Sequence, residues 1–298
     1  MAAAIRAVFF DLGDTLVERK PEVDEDSIRL IYGAVGLETP SDRELPKLRR
    51  RLKAAERATW NSYASGTLLK LGSLDEELAF LRDSFYPAVL SRFGFATLPR
   101  DILDELAHSQ LGPETFRPFP DVEETFVWLT SLGLKIGCIS NALPSAEGIL
   151  KYLDLWQRFD CRMLSYSADC RCLKPSKRIH AKALGRLQLS GKEAIFVDDR
   201  PGFVSAADSI YRLAILLDRE RVHLNEKEPR IEQLSDLRLL LNRERLRAGP
   251  NEIPFGQLSL FSRAFVQEVT NRVFLVARYF LRRHRAPLVT QSMTQFSC

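Results

Sequence analysis

The sequence predicts an α/β fold, a doubly wound parallel sheet with helices on both faces. After Pro120, short apolar runs rich in Val, Ile, Leu and Phe alternate with helical segments, as in parallel sheets that are covered on both sides. Before that point, residues 20–113 show helical spacing and no convincing strand, although an apolar run at residues 5–10 precedes them. We therefore expect a helical segment to be inserted after the first strand.

The first part of the chain contains one predicted strand and three predicted helical stretches. Residues 5–10, IRAVFF, form the strand because they are a short, continuous apolar run. The helical stretches are DEDSIRLIYGAVG, SDRELPKLRRRLKAAERATWNSYAS and LDEELAFLRDSFYPAVLSRFG, for which Asp24 and Ser41 are candidate N-caps. The basic run of Arg49, Arg50, Arg51 and Lys53 is interpreted as a solvated face of the middle helix.

The second part of the chain alternates between helices and strands. The predicted helices are 121–132, 145–153, 177–187 and 203–209, and the predicted strands are 134–140, 161–165, 194–199 and 212–218. Right-handed crossovers join such units into one sheet. Ligands of doubly wound sheets bind beside the carboxyl ends of the strands, so functional side chains are expected there.

Charge and composition exclude several classes of protein. The chain is 45% hydrophobic and 28% charged, which is typical of globular proteins and not of disordered or fibrous ones. It has 43 Lys and Arg against 39 Asp and Glu, but from Leu241 onward nine Arg stand against three Glu. The part before Leu241 is therefore slightly acidic, and its charge gives no reason to expect nucleic-acid binding.

The cysteines favour an intracellular protein without disulfides. Five cysteines are an odd number in a long chain, which does not indicate a disulfide framework. Cys170 and Cys172 form a C-x-C pair, but no second thiol pair lies close by, so we interpret them as reduced structural thiols. The apolar N-terminal run ends at Asp11, which is too early for the hydrophobic region of a secretory signal, and we expect a cytoplasmic protein.

Polar and charged side chains follow four of the predicted strands. They are Asp11, Asp14 and Thr15 after the first strand, Ser140 and Asn141 after the second, Lys174 past the third, and Asp198 and Asp199 after the fourth. Each alone is ordinary turn chemistry. Together they are expected to converge on one crevice, because parallel strands end at the same edge of a sheet. Carboxylates bind Mg²⁺, and Lys and Ser neutralise and hydrogen-bond phosphate oxygens.

In this set of motifs the chain resembles the haloacid dehalogenase (HAD) superfamily, in the subfamily with an α-helical, C1-type cap inserted after the first strand. The matching motifs are Asp11–Leu16, Ser140 with Asn141, Lys174, and Asp198 with Asp199. The resemblance covers about residues 4–222 and extends more loosely to about residue 241. It implies a Rossmann-like doubly wound core made of residues 1–16 and 115–241, with a helical cap at residues 17–114.

The resemblance also implies a reaction, Mg²⁺-dependent hydrolysis of a small phosphorylated metabolite through an aspartyl-phosphate. Asp11 would be the nucleophile. The implied metal ligands are Asp11, the backbone carbonyl of Gly13, Asp199 and, in support, Asp198. The implied phosphate-binding residues are Ser140, Asn141 and Lys174, and Lys174 would also offset charge around the nucleophile. Thr15 would support the turn by hydrogen bonding.

One position departs from the family pattern. Family phosphatases usually carry a second Asp two residues after the nucleophile, which acts as general acid and then as base, and Gly13 stands there in this sequence. General acid–base help is worth about 10²–10⁴ in rate, so we expect low activity that depends steeply on the leaving group. Asp14, one residue further on, is an alternative acid.

Two other functions stay open at this point. One is halide displacement as in 2-haloacid dehalogenases, which need neither Mg²⁺ nor the second Asp, although they lack an acid pair like Asp198–Asp199. The other is a non-catalytic protein of the same fold that binds a phosphorylated ligand or a protein partner, which Gly13 would suit.

The cap is expected to select the substrate by closing over the crevice and excluding water. Glu18, Arg19 and Lys20 follow the first motif at the hinge, and Trp60 and Tyr63 lie on a cap helix. We interpret them as solvated charges and core aromatics, and not as site residues.

The C-terminal part, residues 242–298, is not explained by the resemblance. Gly249, Pro250 and Pro254 predict a linker, and residues 258–285 predict an amphipathic helix that ends in the basic cluster Arg282, Arg283 and Arg285. We expect this helix to mediate self-association, by docking on the protein's own body or a second subunit, or to lie at an anionic membrane surface. Residues 286–298 are predicted to be a flexible terminus.

Overall fold

A computed structural model describes residues 3–63, 66–96, 98–223 and 229–248. In chain order, the strands are β1 (Ala7–Phe10), β2 (Val17–Arg19), β3 (Phe116–Pro118), β4 (Lys135–Ser140), β5 (Cys161–Leu164), β6 (Ala194–Asp198), β7 (Leu213–Leu217) and β8 (Arg230–Ile231). The helices are α1 (Pro21–Ala34), α2 (Leu45–Tyr63), α3 (Leu74–Phe80), α4 (Tyr86–Phe93), α5 (Arg100–Leu111), α6 (Val122–Ser131), α7 (Ser145–Tyr152), α8 (Lys177–Arg186), α9 (Pro201–Asp208) and α10 (Leu237–Ala248).

Six parallel strands form one sheet in the order β5–β4–β1–β6–β7–β8. Helices cover both faces of the sheet with their apolar sides. Val8 and Phe10 of β1 pack in one buried cluster with α6 and α7. Ala7 and Phe9 pack in another cluster with α8 and α9. Phe9 pairs with Gly137 of β4, where a Cβ would lie 2.2 Å from the Phe9 ring. The predicted α/β, Rossmann-like doubly wound sheet is confirmed.

The strands of this sheet that the sequence predicts all form, with ends that differ by at most two residues. Three strands were not predicted, namely the antiparallel pair β2 and β3 and the edge strand β8. None of them exceeds three residues. A segment that short has no room for the alternation that identifies a strand in a sequence.

Helices α1 to α5 lie between β2 and β3 and share an apolar cluster of their own. Leu143, from the loop after β4, is buried in that cluster, so the helical segment packs on the sheet's carboxyl edge. Glu77 of α3 reinforces this contact, because its carboxylate accepts hydrogen bonds from the backbone N and the Oγ of Ser145, at 2.8 and 2.7 Å. Burial raises the pKa of Glu77.

The predicted N-cap is wrong for α1, whereas Ser41 makes part of the expected contacts at the start of α2. Helix α1 begins at Pro21, whose fixed φ suits the first turn, so Asp24 lies inside the helix, where its carboxylate is buried and accepts from Arg19. Helix α2 begins at Leu45, four residues after Ser41. The Ser41 carbonyl accepts from the Leu45 N at 3.2 Å, and the Ser41 N and Oγ donate to the Glu44 carboxylate at 3.0 and 2.7 Å, so Glu44 supplies half of a capping box.

The C-terminal predictions largely fall beyond the part of the chain that the structure describes. Helix α10 continues to Ala248, past residue 241. The predicted linker, the amphipathic helix 258–285 and the terminal segment 286–298 lie outside the described residues. Among the residues that are described, none of the helices is long and apolar enough to cross a membrane.

Candidate active site

The register of the sheet places Asp11 at the centre of the carboxyl edge. Phe10, the last residue of β1, pairs with Cys138 of β4 and Val197 of β6. The Asp11 backbone N then donates to the Val197 carbonyl at 2.9 Å, which holds Asp11 level with Asp198. The central strand therefore delivers Asp11 between two neighbours whose own last residues, Ser140 and Asp198, end at the same edge.

Lys174 joins two of the predicted acids. Its Nζ donates to Asp11 Oδ1 at 2.5 Å and to Asp198 Oδ2 at 2.6 Å, and all three side chains are buried or nearly so. Burial alone would lower the pKa of Lys174, but the charges of Asp11 and Asp198 outweigh it and raise that pKa. Lys174 is thus held as a cation against two carboxylates.

Asp199 completes a cluster of three acids. One carboxylate oxygen from each of Asp11, Asp198 and Asp199 lies within 4.8 Å of the other two. Burial raises the pKa of Asp198 to about 6, with a further contribution from the charge of Asp11. Burial, and then repulsion from Asp198 and Asp11, raises the pKa of Asp199 well above its ordinary value. Lys174 thus pairs with two of the three carboxylates, while Asp199, the third, has the Arg57 guanidinium 3.8 Å away.

The donor chemistry of this cluster fits a divalent cation such as Mg²⁺. Mg²⁺ prefers hard oxygen ligands and usually takes one or two carboxylates, completing its shell with water and substrate phosphate. The three clustered carboxylates supply such oxygens. Burial, and in addition repulsion between neighbouring acids, raises the pKa values of Asp198 and Asp199, and a bound cation would offset both effects. Gly13 also lines the crevice beside Asp11.

Ser140 and Asn141 both line the same crevice, but the amide of Asn141 is already engaged. Its Nδ2 donates to the Lys174 carbonyl at 3.0 Å, and its Oδ1 accepts from the Lys174 N at 2.7 Å. This double hydrogen bond fixes the backbone that carries the Lys174 side chain. The structure thus places Asn141 as a support for Lys174, beside the crevice that Ser140 faces.

In the turn after β1, the Thr15 hydroxyl does not make the hydrogen bond that is expected from the sequence. Thr15 is fully buried, and its Oγ1 has no hydrogen-bond partner among the described residues. The hydroxyl therefore does not support the turn, and the expectation was wrong. The turn is closed by its backbone, because the Asp14 N donates to the Val17 carbonyl at 2.8 Å and the Thr15 carbonyl accepts from Arg219 at 2.9 Å.

Asp14 points to the helical segment. It adopts a left-handed φ of 57°, which Asp tolerates better than most residues. Its carboxylate lies 3.3 Å from Arg57 and 3.9 Å from Lys53, both on α2. Arg57 also lies 3.8 Å from Asp199. Asp14 is thus paired with cations of the opposite wall of the crevice.

Sequence reasoning missed these α2 cations as site residues. The sequence favours a solvated face for Lys53 and does not single out Arg57, yet both side chains line the crevice. Arg200, which follows β6, lines it as well. Their spacing of four residues on a helix is a signal that could have found them, because it places both side chains on one face. Which face turns towards the sheet depends on tertiary packing, which the spacing does not specify.

Arg19 was also misinterpreted, because it is buried and not solvated. It contacts Asp24, and its guanidinium lies 2.8 Å from the Glu56 carboxylate on α2. It also donates to Gln110 of α5 and lies 3.4 Å from the Tyr86 hydroxyl. Burial raises the pKa of Glu56, and the charge of Arg19 opposes that rise. Arg19 thus ties β2 to four helices of the inserted segment.

The crevice between the sheet edge and the inserted helices has a volume of about 280 Å³, at the lower end of small-molecule sites. Trp60 lines it, and its ring centroid lies 4.2 Å from that of Phe85, so Trp60 belongs to both the helical core and the crevice wall. Tyr63 packs against Phe80 in the helical core, as expected of a core aromatic. A space of this size suits a small metabolite.

Comparison with known proteins identifies the class of protein that this fold and site define. A profile of the haloacid dehalogenase-like hydrolase family matches residues 5–208, more than half of the chain. The protein therefore belongs to the haloacid dehalogenase-like hydrolase family.

The individual proteins that this chain resembles are named for different reactions. The chain is 27% identical over 213 residues to the haloacid dehalogenase-like hydrolase domain-containing protein 3 of Danio rerio, covering 67% of this chain and 78% of that protein. It is 26% identical over 200 residues to a glyceraldehyde 3-phosphate phosphatase of Methanopyrus kandleri, covering 66% of this chain and 76% of that protein. An L-2-haloacid dehalogenase structure from Xanthobacter autotrophicus matches with a TM-score of 0.57 at 17% identity, over 80% of this chain and 98% of that one.

Proposed function

We propose that the protein is a Mg²⁺-dependent phosphatase that hydrolyses a small phosphorylated metabolite through an aspartyl-phosphate on Asp11. The observation that carries this proposal is the cluster of Asp11, Asp198 and Asp199 around Lys174 at the carboxyl edge of the sheet. A phosphatase relative in Methanopyrus kandleri supports the same reaction class. Enzymes that transfer phosphoryl groups work mainly by positioning and charge stabilisation, which such a cluster supplies.

Each residue of the cluster has a distinct role in this proposal. An oxygen of Asp11 attacks phosphorus, the ester P–O bond breaks, and the leaving alcohol takes its proton from water because Gly13 supplies no acid. Water then attacks the aspartyl-phosphate, which releases inorganic phosphate and restores the Asp11 carboxylate. Asp11, Asp199 and the Gly13 carbonyl, with Asp198 in support, would hold the cation, which would supply neutralisation of negative charge on the phosphoryl oxygens. Lys174 binds the phosphoryl oxygens and orients Asp11 through its 2.5 Å hydrogen bond.

Ser140 and Asn141 support the same step from the neighbouring strand. Ser140 faces the crevice and donates a hydrogen bond to a phosphoryl oxygen. Asn141 holds the backbone of Lys174 through its two hydrogen bonds, so its contribution is the placement of the Lys174 ammonium. The helical segment covers the crevice and limits the access of water.

Phosphatase action is favoured over halide displacement by the acid pair. Displacement of halide from carbon needs one carboxylate nucleophile and no cation, whereas Asp198 and Asp199 place two further carboxylates beside Asp11. A similarity to a dehalogenase structure at 17% identity shows only the common fold. A catalytic role also explains why Lys174 is buried and paired with Asp11. A protein that only binds its ligand would not need this ion pair.

The proposed function is tested by two assays run side by side. The purified protein is incubated with p-nitrophenyl phosphate and, separately, with L-2-chloropropionate, each with Mg²⁺ or with EDTA. We expect phosphate release that requires Mg²⁺ and no chloride release. Chloride release that EDTA does not reduce would establish the dehalogenase alternative, and no release of either product would favour a non-catalytic member of the fold.

Because Gly13 supplies no general acid, we expect the rate of hydrolysis to depend steeply on the pKa of the leaving group. An aspartate at this position should reduce that dependence. Gly13 does not adopt a positive φ, and a Cβ built on it meets no atom of the described residues within 4 Å, so the backbone and the space both accept a side chain. We expect Gly13→Asp to raise kcat/KM for a simple alkyl phosphate by about 10-fold or more, with little gain on p-nitrophenyl phosphate.

The control for this prediction is Gly13→Asn, which adds a side chain of the same size without an acid. A gain in both variants would assign the effect to packing. Equal rates of the unmodified protein on the aryl and alkyl phosphates would contradict the assumption that general acid help is missing.

A further inference from the structure

Lys53, Arg57 and Arg200 form a cationic wall of the crevice that the phosphoryl-transfer groups do not use. Lys53 and Arg57 lie four residues apart on α2, and Arg200, which follows β6, reaches α2 by donating to Asn61. The side chains of Lys53 and Arg57 are 30% and 44% exposed. They are thus accessible to a small molecule that enters the crevice.

The other cations that line the crevice already have partners of opposite charge. Lys174 is paired with Asp11 and Asp198, and Arg19 is paired with Asp24 and Glu56. Each of these two cations is therefore matched by two carboxylates. Neither has spare charge for a second group of the substrate.

The cationic wall has fewer compensating charges. Asp14 lies near both Lys53 and Arg57, and Asp199 lies 3.8 Å from Arg57. Arg200 donates to the neutral amide of Asn61 at 2.9 Å. The charge of Lys53 also acts on Glu56, but the Glu56 carboxylate is paired with Arg19. When a bound cation takes up the charge of Asp199, Asp14 and the shared Glu56 are the acids that remain beside the three basic residues in the described part of the chain, and the wall has an excess of positive charge.

We propose that the cationic wall binds a second anionic group of the substrate, so that the preferred substrate is a small phosphomonoester that carries a further carboxylate or phosphate. This inference rests on the proposed phosphatase function and names its substrate class. The existing contacts of the wall are partly exposed ion pairs, which are weak and readily exchanged for a ligand anion. An anionic ligand group replaces Asp14 as the partner of Arg57 without exposing a buried charge.

The geometry limits how far apart the two anionic groups of the substrate are. Arg57 lies 3.8 Å from Asp199, which belongs to the acid cluster that faces the reacting phosphate. The second anion therefore binds within a few bonds of phosphorus. The crevice volume of about 280 Å³ agrees with a compact molecule and not with a nucleic acid or a polymer.

The experiment compares two esters with similar leaving alcohols. 3-Phosphoglycerate carries a carboxylate, whereas glycerol 3-phosphate carries a hydroxymethyl group in its place. We expect kcat/KM to be about 10-fold to 100-fold higher for 3-phosphoglycerate, which is the range for one charge-assisted contact. In the Arg57→Met and Lys53→Met variants this ratio should fall towards one.

A matched control separates a specific contact from a general loss of positive charge. Lys47 is exposed on the same helix α2 but lines a different groove, so Lys47→Met should leave the ratio unchanged. A binding measurement provides a readout without turnover. Calorimetric titration of the Asp11→Asn variant with both esters should show the same preference for 3-phosphoglycerate, and the preference should disappear when Arg57→Met is added.

The outcomes distinguish failure of the inference from failure of the proposed function. If the protein hydrolyses p-nitrophenyl phosphate with Mg²⁺ but treats the two esters alike, the proposed function stands and the anion subsite is wrong. A preference that survives in both Arg57→Met and Lys53→Met would likewise overturn it. If no phosphate is released from any ester, the proposed function itself fails, and equal binding of the two esters would then reject the subsite independently.

Discussion

Replacing Asp11 by Asn is expected to reduce phosphatase turnover by at least about 10⁴-fold, because the substitution removes the nucleophile while keeping the size of the side chain. The fold should not suffer. Lys174 pairs with both Asp11 and Asp198, and the pKa values of Asp198 and Asp199 are raised by burial and then by repulsion between the acids. The substitution removes one carboxylate partner of Lys174 but leaves Asp198 as its charged partner, and it lessens the repulsion between the acids, so the metal-free variant should unfold at a temperature similar to that of the unmodified protein.

Asp14→Asn, in the same turn, is the comparison for this prediction. Asp14 is paired with Lys53 and Arg57 on the opposite wall, so its loss should cost far less activity than the loss of Asp11. The measurements are steady-state kinetics with p-nitrophenyl phosphate and thermal unfolding in EDTA. An Asp11→Asn variant that retains more than about a tenth of the activity is incompatible with a covalent role for Asp11.

Replacing Lys174 by Met is expected to cost both activity and stability. The Lys174 ammonium is buried and donates to Asp11 at 2.5 Å and to Asp198 at 2.6 Å. Removing one member of a buried ion pair costs about 3–5 kcal/mol, because the remaining charges lose their partner. The loss of a positioned cation at the transferring phosphoryl group should lower kcat by about 10²–10³-fold or more.

Magnesium should offset part of this stability loss, since the cation neutralises the same carboxylates. We therefore expect Mg²⁺ to raise the unfolding temperature of Lys174→Met by more than it raises that of the unmodified protein. The control is Lys177→Met, because Lys177 is exposed at the start of α8 and contacts Ser209. If Lys174→Met lowers the free energy of unfolding in EDTA no more than Lys177→Met does, the assigned role of Lys174 is wrong.

The sheet and its acid cluster could be predicted because their signals are local. Each strand of the parallel sheet that was predicted is a continuous apolar run, and a residue directly after such a run has its position fixed by the register. Asp11 and Asp198 therefore lie close together because each stands at the end of a strand that the sequence predicts. Lys174 lies past β5 in a loop, and its place beside them was implied by the family motif and not by any local pattern.

The remaining features depend on packing between distant segments. Arg19 is buried because four helices of the inserted segment surround it, and no charge pattern near residue 19 indicates this. Lys53 and Arg57 line the crevice because α2 turns that face towards the sheet edge. The Asn141 amide is engaged by a backbone thirty-three positions along the chain, so its role as a support for Lys174 could be seen only in the structure.

The central claim is that Asp11 carries the phosphoryl group during turnover, and trapping that group tests it most directly. The protein is mixed with p-nitrophenyl phosphate and Mg²⁺, quenched in acid within the first turnovers, digested and analysed by mass spectrometry. We expect one phosphoryl group on the peptide that contains Asp11, and none after Asp11→Asn or in EDTA. Phosphate release under the same conditions with no phosphoryl group on that peptide would contradict the account.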